Sequence, residues 1–199
     1  MNIIRHTILP LVVVMALGLA ACSKQESNPA ATTSAATAIA PAQAYEAVAA
    51  QAKGFTVGAL MSANPVYVLF DPQCPHCGHL WNSSLPLLGK VKFVWIPVAI
   101  MGPKSVPQGA ALMQATDPVA TMSAHEQSLL NGRGGMSASS SIPDDVQAAI
   151  KSNSQLLDRL GADSVPFMVA RHARSGQTIT QAGALSTEAL SEFLGLGQP

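Results

Sequence analysis

Apolar residues in this chain fall into short runs fenced by Pro, Gly, Asn and Asp. The sharpest run, Val66-Tyr67-Val68-Leu69-Phe70, starts just after Pro65 and is closed by Asp71-Pro72, the pattern of a buried strand. A second strand is predicted over Val91 to Ala99, with Pro97 demoting its far end to an edge or an exit. The spacing then turns helical. Helices are predicted over Val106 to about Ala115 and over Pro118 to Leu130, the latter with Asp117 as cap and Pro118 at its first position. One or two more are predicted over Pro143 to Leu160, with Asp144 and Asp145 in the first turn and Gly161 as the stop. Strand character returns at Ser164 to Ala170 and Gln177 to Gln181, which the turn Arg171 to Gly176 joins as a hairpin. Ser186 caps a last helix that ends at Gly195. Ahead of the first clear strand, the pattern predicts a short helix over Gln43 to Lys53 and an edge strand at Phe55-Thr56-Val57. A further strand-like piece is read over Gly58 to Met61.

This order predicts an α/β fold, a central mixed sheet flanked by helices with a helical insert over about 106–160. The 199 residues suit one domain of ordinary size, placed at 54–199. Eleven basic residues balance 11 acidic ones, which excludes the electrostatic footprint of a nucleic-acid binder. The loop Asn131 to Ser141 is rich in Gly and Ser, but no strand precedes it and no lysine follows, so it is not a phosphate loop.

Residues 1–21 read as a signal peptide: Arg5 and His6, then an apolar core from Ile8 to Leu19 that is shorter than the roughly 20 residues needed to span a bilayer. Leu19-Ala20-Ala21-Cys22 resembles the lipobox of bacterial lipoproteins. That resemblance implies cleavage before Cys22, acylation of Cys22 and, with Ser23 rather than Asp next, a periplasmic protein anchored to the outer membrane. A simple secretory signal cleaved nearby is the alternative. Residues 22–53 then form a low-complexity tether and the short helix, holding the domain off the membrane. If Cys22 is lipidated, Cys74 and Cys77 are the remaining thiols of the three cysteines. Export would put them where disulfides persist.

Cys74-Pro75-His76-Cys77 opens the helix that follows the first clear strand. Two intervening residues let the sulfurs meet across the first turn. Cys74 sits where unpaired N–H groups and the helix dipole favour a thiolate, and Cys77 is shielded and resolves mixed disulfides. Pro75 costs nothing at that position, and His76 adds positive charge beside Cys74. A plain structural bridge is the bland alternative. Zinc is another, with His79 joining the cysteines, but no fourth ligand is evident and no second C-x-x-C exists. His79, His125 and His172 are expected on the surface. No cofactor is called for.

Strand, C-x-x-C helix, strand, helical insert, Pro-headed strand, strand and helix resemble the thioredoxin fold. In that family a cis-proline heads the strand facing the cysteines. Pro166 matches it, which implies that the backbone of Val165 meets a bound peptide strand. Val68 to Cys77 with Trp81, Gly89-Lys90-Val91, Asp117-Pro118 and Leu160-Gly161-Ala162 are similar to the periplasmic DsbG/DsbC disulfide isomerase group over about residues 64–197. The resemblance implies an exported thiol:disulfide oxidoreductase or isomerase. Its redox-active disulfide would be Cys74–Cys77, its substrates cysteine-containing exported proteins and its electron source a DsbD-type membrane donor. A disulfide-donating oxidase of the DsbA kind and a chaperone with secondary redox activity are the alternatives. Two departures stand out. Only about forty residues separate Cys22 from the catalytic domain, where those isomerases carry a dimerisation domain, so a monomer is expected. Val165 stands where that group has Thr, as in the oxidase. The buried acid of thioredoxins proper falls at Val68 here, leaving Asp71 as the nearer acid, to cap the turn or tune the site.

Overall fold

A computed structural model describes residues 37–197. The signal peptide, Cys22 and most of the tether lie outside those residues. Five strands, β1 (Phe55–Gly58), β2 (Val66–Phe70), β3 (Lys92–Pro97), β4 (Phe167–Arg171) and β5 (Thr178–Ala182), form one sheet in the order β1-β3-β2-β4-β5. β2 and β3 are parallel, and the other pairings are antiparallel. β2, the most apolar run, holds the centre, and the short Phe55 strand is an edge. The helices are α1 (Ala44–Gln51), α2 (Pro75–Ser84), α3 (Ser105–Met113), α4 (Pro118–Leu130), α5 (Asp144–Arg159) and α6 (Thr187–Leu194). This is the expected thioredoxin-like α/β architecture, with the helical insert between β3 and β4.

Alternation along β2 sends side chains to two helical layers. On one face Tyr67 meets Tyr45 of α1 edge-on, with ring centroids 5.3 Å apart, and α1 packs against α5. On the other face the aromatics form a file. Phe55 meets Phe70 at 6.1 Å, Phe70 meets Trp95 at 5.4 Å, and Trp95 meets Trp81 of α2 at 5.2 Å. Each edge-to-face pair adds about 0.5–1.5 kcal/mol beyond the area it buries. The file therefore fixes α2, the helix carrying the cysteines, against the sheet centre. Trp81 Nε1 reaches on to donate to Ser123 Oγ of α4 at 3.1 Å, tying the insert to the same helix.

Sequence and structure differ in a few places. Gly58 to Met61 is no second strand: β1 ends at Gly58, whose φ of +90° turns the chain, and Ser62 N donates to Ala59 O to close a turn that leaves Leu60 and Met61 exposed. Apolar residues alone do not make a strand without a partner edge. Pro86 ends α2 in a single 3-10 turn over Leu85–Leu87. Residues 144–159 form one helix, since nothing within them breaks it. β4 starts at Phe167, after the proline, and Pro97 closes β3 beyond the reach of β1.

Buried Asn153 of α5 joins three segments. Its Oδ1 accepts from Lys53 N at 3.0 Å, and its Nδ2 donates to Lys53 O at 2.7 Å and to Pro97 O at 2.9 Å. These bonds satisfy backbone groups at the entrance to β1 and the end of β3. Asn153→Ala should lower stability by about 3 kcal/mol, because it strands buried donors and acceptors. Urea denaturation checks this: the midpoint falls at unchanged slope. A loss below about 0.5 kcal/mol, the range of ordinary surface changes, would show that the three bonds carry no weight.

Candidate active site

The turn from β2 into α2 takes four residues and is built on one side chain. Asp71 is fully buried. Its Oδ1 accepts from Gln73 N at 2.8 Å, a local turn-capping bond, and from Ser105 Oγ at 2.7 Å. Its Oδ2 accepts from Ile100 N at 2.8 Å and Met101 N at 3.0 Å. The carboxylate thus caps the turn, as read from sequence, and also clamps the loop after β3 and the first residue of α3. Asp71 O accepts from Cys74 N at 2.9 Å, setting Cys74 as the N-cap of α2 with Pro75 at the first helical position.

The two sulfurs lie in unlike surroundings. Both are thiols here, Cys74 4% exposed and Cys77 fully buried. The Cys74 thiol is pulled down to about 6, chiefly because the Cys77 thiol donates to it. The N–H groups of Cys77 and His76 and the charge of His76 add to this, overcoming the opposing effect of burial. Cys77 is pushed well up, first by burial and then by its bond and repulsion with Cys74. One sulfur is therefore ready as a thiolate at neutral pH while its neighbour keeps its proton. Facing them, the Val165–Pro166 peptide is cis, and Val165 O accepts from Cys74 Sγ at 3.4 Å. Pro166 O is occupied by Gly183 N at 2.8 Å. The fold thus brings Asp71, Cys74 and Cys77, on the turn into α2, together with Val165 from the segment before β4, with Pro75 and His76 exposed on the lip. His79 is exposed, its ring 6.3 Å from that of His76. Among the described residues, no group of three or more His, Cys, Asp or Glu side chains converges as a metal site.

The helical insert supplies groups that sequence reasoning missed. His125, expected on the surface, is fully buried. Its Nε2 lies 2.7 Å from Pro72 O and its Nδ1 accepts from Met136 N at 3.1 Å. This pair of partners requires the neutral tautomer with the proton on Nε2. Burial holds the ring's pKa down, in keeping with that state. His172 is half-buried, its ring against Gly195. Gln73, beside Cys74, bonds to buried Gln108 and donates to Gly134 O at 3.1 Å, while Gln108 donates to Gly134 O and Met136 O. The Gly-rich loop is thereby stitched to the residue before the reactive cysteine. Gly135, at φ +81°, leaves room for the His125 ring, whose Cε1 would lie 2.5 Å from any Cβ there.

Glu126 is the other omission. It is fully buried on α4, and neither carboxylate oxygen has a hydrogen-bond partner. Burial, and then the charge of Cys74, raise it to about 9. Its Oε2 lies over the first turn of α2, 2.6 Å from where a Cβ on Gly78 would be, so a larger residue after Cys77 would push the Glu126 carboxyl out of this position. One local signal was available. Met122, Glu126 and Leu130 follow one another at i, i+4, i+8, a carboxylate inside an otherwise apolar helical row.

Glu126 sets a pH dependence of stability. Its folded pKa lies above its unfolded one, so the stability it allows is fully present below the unfolded value. That stability is lost as pH rises through the window up to about 9. Glu126→Gln removes this loss. It should stabilise the reduced protein at neutral pH by on the order of 2 kcal/mol, the gain shrinking as pH falls towards the ordinary carboxylate range. Denaturation at a series of pH values tests this. A variant less stable than wild type at pH 7, or a gain that grows on acidification, would contradict the burial of an unpartnered carboxyl.

Comparisons with known proteins agree with this geometry. No protein-family model matches the chain. It is 32% identical over 133 residues to the thiol:disulfide interchange protein DsbG of Pseudomonas aeruginosa, covering 65% of this chain and 50% of that protein. It is 30% identical over 103 residues to DsbG of Escherichia coli, covering 51% of this chain and 41% of that one. The chain thus spans half or less of the length of these two relatives. Among solved structures, the catalytic domain of Proteus mirabilis ScsC superposes with a TM-score of 0.60 at 17% identity, over 77% of this chain and 93% of that one. A periplasmic thioredoxin-like protein from Salmonella enterica serovar Typhimurium gives 0.60 at 15% identity, over 76% and 93%. The structural likenesses speak for the fold alone. The chain is thus a thioredoxin-fold protein related in sequence to the thiol:disulfide interchange proteins.

Proposed function

We propose that this protein exchanges disulfides with exported polypeptides through Cys74 and Cys77, as an oxidoreductase and isomerase. The observation that carries the reading is the inequality of the pair: Cys74 lowered to about 6 at a helix N-terminus, and Cys77 buried and raised. In the dithiol form the Cys74 thiolate attacks one sulfur of a substrate disulfide. A Cys74–substrate bond forms, the substrate S–S bond breaks, and the other substrate sulfur leaves as a thiolate. Cys77 then attacks Cys74, forming the Cys74–Cys77 disulfide and releasing a substrate reduced by two electrons. Alternatively the freed substrate thiolate attacks within the substrate and regenerates Cys74, which is isomerisation.

Polypeptide substrates are supported by the apolar surface at the site. Ile100 and Met101, whose N–H groups Asp71 holds, are 45% and 52% exposed. An extended segment of substrate would run beside Val165. Disulfide donation is the second reading. Stabilising the Cys74 thiolate makes the pair more oxidising, and Val165 in place of Thr fits the oxidase pattern. Activity in the periplasm, attachment to the outer membrane through acylated Cys22, action as a monomer and recharging by a DsbD-type membrane donor complete the proposal.

Insulin-disulfide reduction tests it. Cys74→Ser should lose activity by at least about a hundredfold. Cys77→Ser should accumulate a mixed disulfide through Cys74. Full activity of Cys74→Ser would overturn the reading, and suppression of aggregation by that variant without redox activity would favour a chaperone. Alkylation of the pair in cells separates the two directions: mostly reduced favours isomerisation, mostly oxidised favours donation.

A further inference from the structure

Resolution of the mixed disulfide poses a proton problem at Cys77. The attacking species is a thiolate, yet Cys77 is fully buried and holds its proton firmly. Solvent meets the pair on the Cys74 side, and even Cys74 is 4% exposed. A base has to stand inside the protein next to α2. Asp71 is committed, with both oxygens occupied by four donors. His125 is committed through both ring nitrogens. His76 and His79 lie on the outer face of α2. α3, the other helix of the insert that packs on α4, carries no titratable side chain, and neither does β1; Glu188 and Glu192 of α6, which packs on α2, are exposed. Glu126 remains: buried, with both oxygens unpartnered, and lying against the turn that holds Cys77, where glycine at position 78 makes room for it.

We propose that Glu126 is the internal proton acceptor of the exchange cycle, an inference that rests on the disulfide-exchange reading above. As the first substrate thiolate leaves, it takes the Glu126 proton; in the mixed disulfide the Cys77 S–H proton then passes to the freed Glu126 carboxylate and the Cys77 thiolate attacks Cys74 Sγ. The Cys74–Cys77 bond forms, the Cys74–substrate bond breaks, and the departing substrate thiolate takes the proton from Glu126. Atoms and electrons balance with no further reactant. The charge of Cys74 times the transfer. While Cys74 is a thiolate it raises the proton affinity of Glu126, and the carboxyl stays protonated. When Cys74 enters a mixed disulfide that charge disappears; burial still holds the proton affinity of Glu126 up, but it falls at the stage where the leaving substrate thiolate can take the proton. The helical insert would then contribute a working group to the exchange as well as a wall to the site.

Oxidised glutathione is the probe, with the Cys74–glutathione adduct trapped by acid quench and counted by mass spectrometry. Cys77→Ser measures formation of the adduct, and proteins retaining Cys77 measure its resolution. Glu126→Gln should slow resolution at pH 7 by about a hundredfold while leaving adduct formation close to wild type. Its resolution rate should climb about tenfold for each pH unit, following hydroxide, where wild type levels off. Glu126→Asp, which keeps the carboxyl, should recover most of the loss. Resolution by Glu126→Gln at the wild-type rate and with the wild-type pH profile would overturn the proposal. So would a Glu126→Asp variant as slow as Glu126→Gln, since packing alone would then be responsible. Absence of any adduct in both wild type and Cys77→Ser would instead sink the disulfide-exchange reading itself.

Discussion

A single buried carboxylate holds the reactive end of this fold in register. Asp71 ends the central strand, and its two oxygens take four hydrogen bonds from three segments: the turn before Cys74, the loop after β3 and the start of α3. Hydrogen bonds to an ionised acceptor are among the stronger ones available to a protein, and leaving several buried donors unpaired is costly. The carboxylate therefore fixes where α2 begins, and with it the orientation of the N–H groups that meet Cys74 Sγ. The aromatic file from Phe55 to Trp81 acts farther along the same helix and stops it from rocking on the sheet.

With α2 fixed, the chemistry of the cysteines follows from their positions in its first turn. Cys74, at the cap, receives hydrogen bonds from Cys77 and from backbone N–H groups, and its thiolate is favoured. Cys77, one turn deeper, is surrounded by apolar side chains and its thiolate is disfavoured. Neither residue would behave so in an exposed loop. The insert completes the enclosure. His125 bonds to Pro72 O, Gln108 holds Gln73 and the Gly-rich loop, and Glu126 lies over Gly78. Resemblance to the interchange proteins draws attention to the C-x-x-C and the proline, whereas the insert carries buried His125, Glu126 and Gln108.

Local chemistry made much of the fold legible. Val66 to Phe70 reads as a strand because its apolar run is fenced by Pro65 and Asp71-Pro72. Asp117 reads as a cap, and its side chain does accept from Ala120 N. Gly58 to Met61 misled, since apolar residues with no partner strand form a turn as readily. His125 and Glu126 were missed for a different reason, although the apolar row of Met122 and Leu130 around Glu126 was a local hint. Their burial depends on α4 lying against α2 some fifty residues earlier in the chain, and the mixed composition of that helix, with Ser, His, Glu and Gln, leaves only a weak local pointer to the covered face. Position 78 carries the same information in reverse. A glycine early in a helix is unfavourable by itself, and here it gives the Glu126 carboxyl its room.

The account rests on Cys74 being a thiolate at neutral pH in the folded, reduced protein while Cys77 remains a thiol. The most direct measurement is the rate of carboxymethylation of each cysteine across pH, resolved by peptide mass spectrometry. Cys74 should react with a midpoint at about 6, with Cys77 unreactive until the pH is well above the ordinary thiol range or the protein unfolds. Two cysteines titrating together near the ordinary thiol value would contradict it.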